Sequence, residues 1–199
     1  MAHSHLGVCY DLGDGVKKDV GTAAEWYRKS AEQGNADAQC EGGHCYYHGL
    51  GVTGNKSEAV KWYKKAAEQN HAEAQYKLGK CYYCGDGVEM DYEEAVKWLR
   101  KAAEQGIANA QDLLGDCYYY GYGVETNKEE AAKWYKKAAE QGDANAQNSL
   151  GYCYNNGEGV EKNSAKAVEW FRRSAENGNA DAQFNLGVCY ANGKGVEKD

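Results

Sequence analysis

The sequence has no excess of basic residues: 23 Lys and Arg stand against 30 Asp and Glu, a net charge of −7. A protein that grips phosphates needs a basic face, so this balance argues against nucleic acid and against docking on anionic lipid. Long apolar runs are also missing, and no stretch approaches the roughly 18–20 continuous apolar residues of a membrane span. The N-terminal MAHSHLGVCYDLG has no basic run followed by an apolar core, so it does not read as a signal peptide. Proline is absent altogether. What is present in quantity is glycine (25), tyrosine (17) and tryptophan (5), an aromatic content that argues against a disordered chain.

These residues are spaced regularly. Tryptophan stands at 26, 62, 98, 134 and 170, each step being 36 residues. Glycine (7, 43, 79, 115, 151, 187) and cysteine (9, 45, 81, 117, 153, 189) follow the same period with no insertion or deletion. A strict period of this size predicts a solenoid, in which each unit packs on its neighbours. The expected units are residues 1–34 (partial), 35–70, 71–106, 107–142, 143–178 and 179–199 (partial), read as one array.

Within residues 71–106, Ala74, Leu78, Cys81 and Tyr82 share one face of a 3.6-residue period, which predicts a first helix. Gly79 beside that face lets a neighbouring helix come close, although a mid-helix glycine costs roughly 1 kcal/mol against alanine. Gly85 stops the helix, Gly87 tightens the loop, and Val88 plugs its underside. Asp91 with Glu94 reads as a variant capping box opening a second helix, repeated by Asn55 with Glu58 and Asn127 with Glu130. Ala95, Trp98, Leu99, Ala102 and Ala103 form that helix's buried stripe, and Gly106 ends it. The fold class expected is all-α, an α-solenoid of antiparallel helix pairs.

The unit A-x-AQ-x-x-LG-x-CY-x-x-G-x-GV-x-x-D…EA-x-x-WY-x-KAAEQG resembles the Sel1-like repeat, a relative of the tetratricopeptide repeat, over essentially the whole chain. Tetratricopeptide units typically have 34 residues and a proline late in the second helix; the 36-residue, proline-free unit here places that reading second. The resemblance implies a right-handed superhelix whose concave surface is lined mainly by first helices. It also implies an adaptor or scaffold that holds a protein or peptide, with no cofactor. Some cysteine-rich relatives carry two cysteines per unit that staple each helix pair, and hydrolase activity has been proposed for them. This chain has one regular cysteine per unit, so the stapled pattern is absent, and the repeat motif carries no catalytic residue to transfer.

In a solenoid the fixed positions build the scaffold and the variable ones are free to bind. Four first-helix slots vary between units, at +2, +6, +9 and +10 from Ala38 and its equivalents. At about 100° per residue they point away from the buried stripe. They supply the candidate partner surface: Tyr47, Tyr76, Tyr83, Asp112, Asp116, Tyr119, Tyr120 and Tyr152. Tyrosine gives large contact area at low entropy cost, and the two aspartates add negative charge. The expectation is a groove for an extended or helical peptide with basic and apolar side chains. The competing account is that several of these tyrosines merely cover the inner wall.

Other patterns carry less. The tryptophans sit at a fixed register on a buried stripe and read as core. The KWYKKAAE runs are balanced by glutamate and read as a solvated outer face. Gly-x-Gly-Val follows a helix and lacks a downstream Gly-Lys-Ser, so it is no phosphate loop. His44 and His48 stand on adjacent turns, but Cys40 and His48 are about 12 Å apart along the helix, and no metal site is assigned. Cys81 and Cys84 form a C-x-x-C, yet Cys81 belongs to the repeating scaffold and Cys84 to the variable strip. No Ser/His/Asp set or isolated acidic pair stands out, so no catalytic residue is assigned. Regular unpaired thiols suit a reducing cytosol, which is the expected compartment. Neither end reads as a polar capping unit, so end-to-end self-association or fraying over residues 180–199 is expected. The alternative to a binding role is a spacer, a trimmed array or a designed one.

Overall fold

The structure, a computed structural model, describes residues 2–195, with side chains from Leu6 onward. The described residues contain eleven helices and no strand. First helices are α1 (Ala2–Leu12), α3 (Ala36–His48), α5 (Ala72–Cys84), α7 (Ala108–Tyr120), α9 (Ala144–Asn156) and α11 (Ala180–Asn192). Second helices are α2 (Val20–Glu32), α4 (Lys56–Glu68), α6 (Tyr92–Glu104), α8 (Lys128–Glu140) and α10 (Ser164–Glu176). The chain divides into two compact units, residues 1–102 and 103–199, with the division falling inside α6.

Helix ends follow the sequence signals. The side chains of Asn35, His71, Asp143 and Asn179 each accept the backbone N–H three residues on, capping α3, α5, α9 and α11. Ile107 fills the same slot before α7 and offers no such bond. Gly85 ends α5 in the left-handed region at φ 72°, its N–H donating to the Cys81 carbonyl, a conformation that costs glycine no Cβ clash.

The second helices open with only half of the expected capping box. Asn55, Asp91 and Asn127 accept from the N–H of Glu58, Glu94 and Glu130 at 3.0, 3.0 and 2.9 Å. The return bond is not made. The N–H groups of Asn55, Asp91 and Asn127 already donate to the carbonyls of Tyr46, Tyr82 and Tyr118 in the preceding first helix, at 2.7, 3.0 and 2.8 Å. The three glutamates instead pair with Lys61, Lys97 and Lys133 one turn on, at 2.8, 2.6 and 3.1 Å.

In the first unit, α3 and α5 approach α4 and α6 through glycine. A Cβ on Gly43 would lie 2.7 Å from the Tyr63 ring, and one on Gly79 would lie 2.9 Å from Leu99 Cγ. The second unit repeats the device: Gly115 faces Tyr135 at 2.6 Å and Gly151 faces Phe171 at 2.7 Å. Those residues anchor the cores. Ala59, Tyr63, Leu78 and Cys81 share a buried cluster in the first unit, and Ala131, Tyr135, Leu150 and Cys153 share one in the second. Val88 and Val160 pack against these clusters from the loops.

Two inter-repeat contacts go beyond what the sequence reading assigned to their residues. Gly87 seats its loop on the backbone of Lys56, at the start of α4, where any Cβ would collide. Gly159 does the same on Lys128 at the start of α8. The buried glutamines of the repeated Ala-Gln pair tie each first helix to the second helix before it. Gln39, Gln75, Gln111 and Gln147 donate to the carbonyls of Ala31, Ala67, Ala103 and Ala139 at 3.0–3.2 Å. Each adds a second hydrogen bond to a carbonyl at a helix end that already accepts the N–H of Gly34, Asn70, Gly106 or Gly142.

The tryptophans stand where the stripe predicts, with Trp62 and Trp134 buried and Trp98 and Trp170 half-buried. A cation three residues on covers each ring: Lys65 lies 4.0 Å from the Trp62 centroid and Lys137 lies 3.8 Å from that of Trp134. No helix among the described residues is long and apolar enough to cross a membrane. Part of the expected fraying segment, residues 196–199, lies outside the described residues; within it, Phe184 is exposed and Cys189 buried.

Candidate functional site

In the first unit α3 and α5, with Tyr63 of α4, line a half-open cavity of about 120 Å³. Tyr47 and Tyr76 line it, as do His44, His48, Lys77 and Lys80. The two histidine rings lie 4.5 Å apart. Burial, with Lys77 and His48 nearby, holds the His44 imidazole below its ordinary value, so its neutral form prevails at pH 7. Lys77 pairs with Glu73 at 3.1 Å. Lys80 is exposed and makes no ion pair among the described residues. Tyr83 stands outside this cavity, half-buried, with its ring edge-on to Tyr92 at 5.3 Å.

Tyr47 has a second task. Its hydroxyl donates to Asp86 of the next repeat, Lys56 pairs with the same carboxylate, and the Lys56 ammonium lies 5.0 Å from the Tyr47 ring centroid. These bonds hold Asp86 below the usual carboxylate range, Lys56 being the larger cause. The second unit copies the arrangement. Tyr119 donates to Glu158, Lys128 reaches Glu158 at 2.9 Å, and Lys128 lies 4.9 Å from the Tyr119 centroid. Tyr47 and Tyr119 therefore clamp one repeat to the next.

In the second unit α7 and α9 carry a more open depression of about 270 Å³. Tyr119, Tyr120 and Tyr152 line it, along with Tyr135, Asn148 and Ser149. Tyr120 is 59% exposed and Tyr152 46%. Tyr120 sits edge-on to Tyr119 at 4.8 Å and stacks on Tyr122 at 5.5 Å.

Asp112 and Asp116 are not the exposed negative charges that the sequence suggested. Asp112 is half-buried, and its Oδ1 is wholly buried without a hydrogen-bond partner. Burial, with the like charges of Asp116 and Asp143, pushes its pKa up to about 8, so it is mostly protonated at pH 7. Asp116 accepts the Tyr135 hydroxyl at 2.7 Å and is raised by burial. Neither lines the depression, and the preference for basic side chains loses its footing. Cys40, in the +2 slot of Asp112, is 1% exposed and packs with Ala59 and Tyr63. At Cys40 and Asp112 the +2 slot is turned into packing, whereas Tyr76 and Asn148 in the same slot line the two hollows.

The structure adds side chains that sequence reasoning missed. Lys77 and Ser149 share a slot three residues after the scaffold alanine, which reads Glu41, Lys77, Leu113, Ser149 and Asn185 along the chain. That variability was the available signal. Tyr63 and Tyr135, buried residues of second helices, also line the two hollows, and the sequence reading assigned them no such place. Cys81 is buried with its thiol pushed up to about 12 by burial, whereas Cys84 is exposed; no described cysteine forms a disulfide. A raised thiol is the reverse of an activated nucleophile. Among the described residues no three His, Cys, Asp or Glu side chains group as a metal set.

The Sel1 repeat model matches residues 1–35, 36–71, 72–107, 108–143, 144–179 and 180–199. A solved structure of c5321, a protective antigen of uropathogenic Escherichia coli strains with an SLR fold, is 43% identical, with a TM-score of 0.93. The match covers 100% of this chain and 42% of that one. A Sel1 repeat protein from Oxalobacter formigenes is 41% identical over 97% of this chain and 79% of its own, with a TM-score of 0.88. DAP3-binding cell death enhancer 1 of Rattus norvegicus is 51% identical over 35 residues, which is 18% of this chain and 7% of that protein. The chain therefore spans about two fifths of the c5321 chain and a small fraction of the rat protein.

Proposed function

The chain belongs to the Sel1 repeat family, and from that premise we propose that it is a non-catalytic scaffold that holds a protein or peptide segment on the inner faces of its first helices. In the first unit that face is α3 and α5, with Tyr47, Tyr76 and Tyr83. In the second it is α7 and α9, with Tyr119, Tyr120 and Tyr152. The observation that carries the proposal is the exposure of Tyr120 and Tyr152 over one depression, at slots where the other repeats differ. Large aromatic rings with a free polar tip, left uncovered side by side, are the side chains that dominate protein interfaces. The rat relative, DAP3-binding cell death enhancer 1, is named for binding a protein, which agrees with a protein partner. Asp112 and Asp116 drop from the contact set and keep a structural role.

The test is a random peptide library displayed on phage and panned against the full chain. Peptides retained by the chain should bind a Tyr120→Ala/Tyr152→Ala double variant about tenfold or more weakly. Equal affinity for the variant would remove the second unit's depression from the binding surface.

A further inference from the structure

The two units carry the same tyrosine in different company. In the second unit Tyr135 donates its hydroxyl to Asp116 at 2.7 Å. In the first unit the equivalent residues, 72 positions earlier, are Tyr63 and His44. Tyr63 donates to no acceptor among the described residues, and it faces the 120 Å³ cavity. The place that a carboxylate holds against Tyr135 is therefore held by a half-buried imidazole beside open space.

The charged side chains that line that space are lysines. No acid lines it, in a chain whose net charge is −7. Two lysines line it, and of these Lys77 is occupied by Glu73 at 3.1 Å while Lys80 is unpaired and exposed. Lys80 and His44 fill one slot in successive repeats, where later repeats carry Asp116, Tyr152 and Val188. The cavity is too small for a drug-sized ligand, which needs ~300 Å³ or more, and suits a single side chain. We infer that the first unit's cavity receives the carboxylate of an Asp or Glu side chain on a peptide partner. The carboxylate accepts from the Tyr63 hydroxyl and pairs with the Lys80 ammonium, with Tyr76 against its stem. This rests on the scaffold reading above and gives it a partner chemistry, acidic where the sequence alone pointed to basic.

The same phage panning supplies the test. Retained peptides should be enriched in Asp and Glu, and Lys80→Glu should weaken the acidic ones about tenfold or more. His44→Asp should weaken them similarly, because it gives Tyr63 the internal partner that Tyr135 already has. Lys133→Glu, a charge reversal at an exposed residue of α8 away from both hollows, should leave them unaffected. Tyr63→Phe checks the donor alone, and Phe171 shows that the slot accepts phenylalanine. Far-ultraviolet circular dichroism confirms that each variant folds. Retained peptides that lack acidic residues, or whose affinity ignores both Lys80→Glu and His44→Asp, overturn this inference and leave the scaffold reading standing. Retention of no peptide at all overturns both.

Discussion

Tyr135 on α8 donates its hydroxyl to Asp116 on α7 at 2.7 Å, while Asp112, one turn earlier on α7, keeps a buried oxygen with no partner. A carboxyl in that setting is raised above its unfolded value of ~3.9, to about 8 for Asp112. A raised acid binds more protons folded than unfolded. Its contribution is fully present below about pH 4, declines as pH rises, and is lost once pH passes about 8. Urea unfolding should therefore show the chain more stable at pH 5 than at pH 8. Asp112→Asn should flatten that slope and stabilise the protein at pH 8, by an amount on the order of a few kcal/mol. Asparagine already occupies the slot at Asn148. Identical pH slopes for both proteins would show Asp112 to be ionised.

Gly115→Ala should destabilise the protein by about 1–3 kcal/mol, because its new Cβ would lie 2.6 Å from the Tyr135 ring. Gly42→Ala should do the opposite, gaining up to about 1 kcal/mol of helix propensity, since no atom lies within 4 Å of its Cβ position. Paired denaturant titrations read both signs. Equal and small effects would mean that glycine at the first position is not set by helix contact.

Tyr119→Phe should cost about 1–2 kcal/mol of stability by removing the hydroxyl held by Glu158. It should leave affinity for a selected peptide nearly unchanged, because the ring stays in place. Tyr120→Ala should behave the other way, with little loss of stability from a 59% exposed residue and a clear loss of affinity. Calorimetric melting and titration of both variants separate the clamp from the contact surface.

Trp134→Ala should destabilise by about 3–5 kcal/mol, as expected for a buried ring that leaves a cavity. At temperatures where the variant remains folded, peptide affinity should match the parent. A selective loss of affinity without loss of stability would place the tryptophan in the partner surface instead.

Much of this architecture is legible in the sequence because it is local. The period of Trp26, Trp62 and Trp98, the caps at Asn55 and Asp91, and the stop at Gly85 each depend on a few neighbouring residues. The candidate surface was less legible for a geometric reason. A helical wheel gives a side chain's angle about its own axis, not which neighbours flank that axis. First helices are covered by second helices on two sides, as the Gln75 bond to Ala67 and the Gly79 contact with Leu99 show for α5. The free arc is narrower than the wheel suggests. At its edge Cys40 and Asp112 fall into packing, while Tyr120 and Tyr152 remain open. The half-made capping boxes failed for the same reason, since Tyr46 and Tyr82 compete for the N–H across the helix pair.

The scaffold account rests on where a bound segment lies. Panned peptides synthesised with a benzophenone side chain, photolysed on the full chain and mapped by mass spectrometry, report that directly. The account predicts crosslinks confined to inner-face residues of the first helices, such as Tyr76 and Lys80 in one unit and Tyr120, Ser149 and Tyr152 in the other. Crosslinks concentrated on the outer faces of second helices, at Lys61, Lys97 or Lys133, would contradict it.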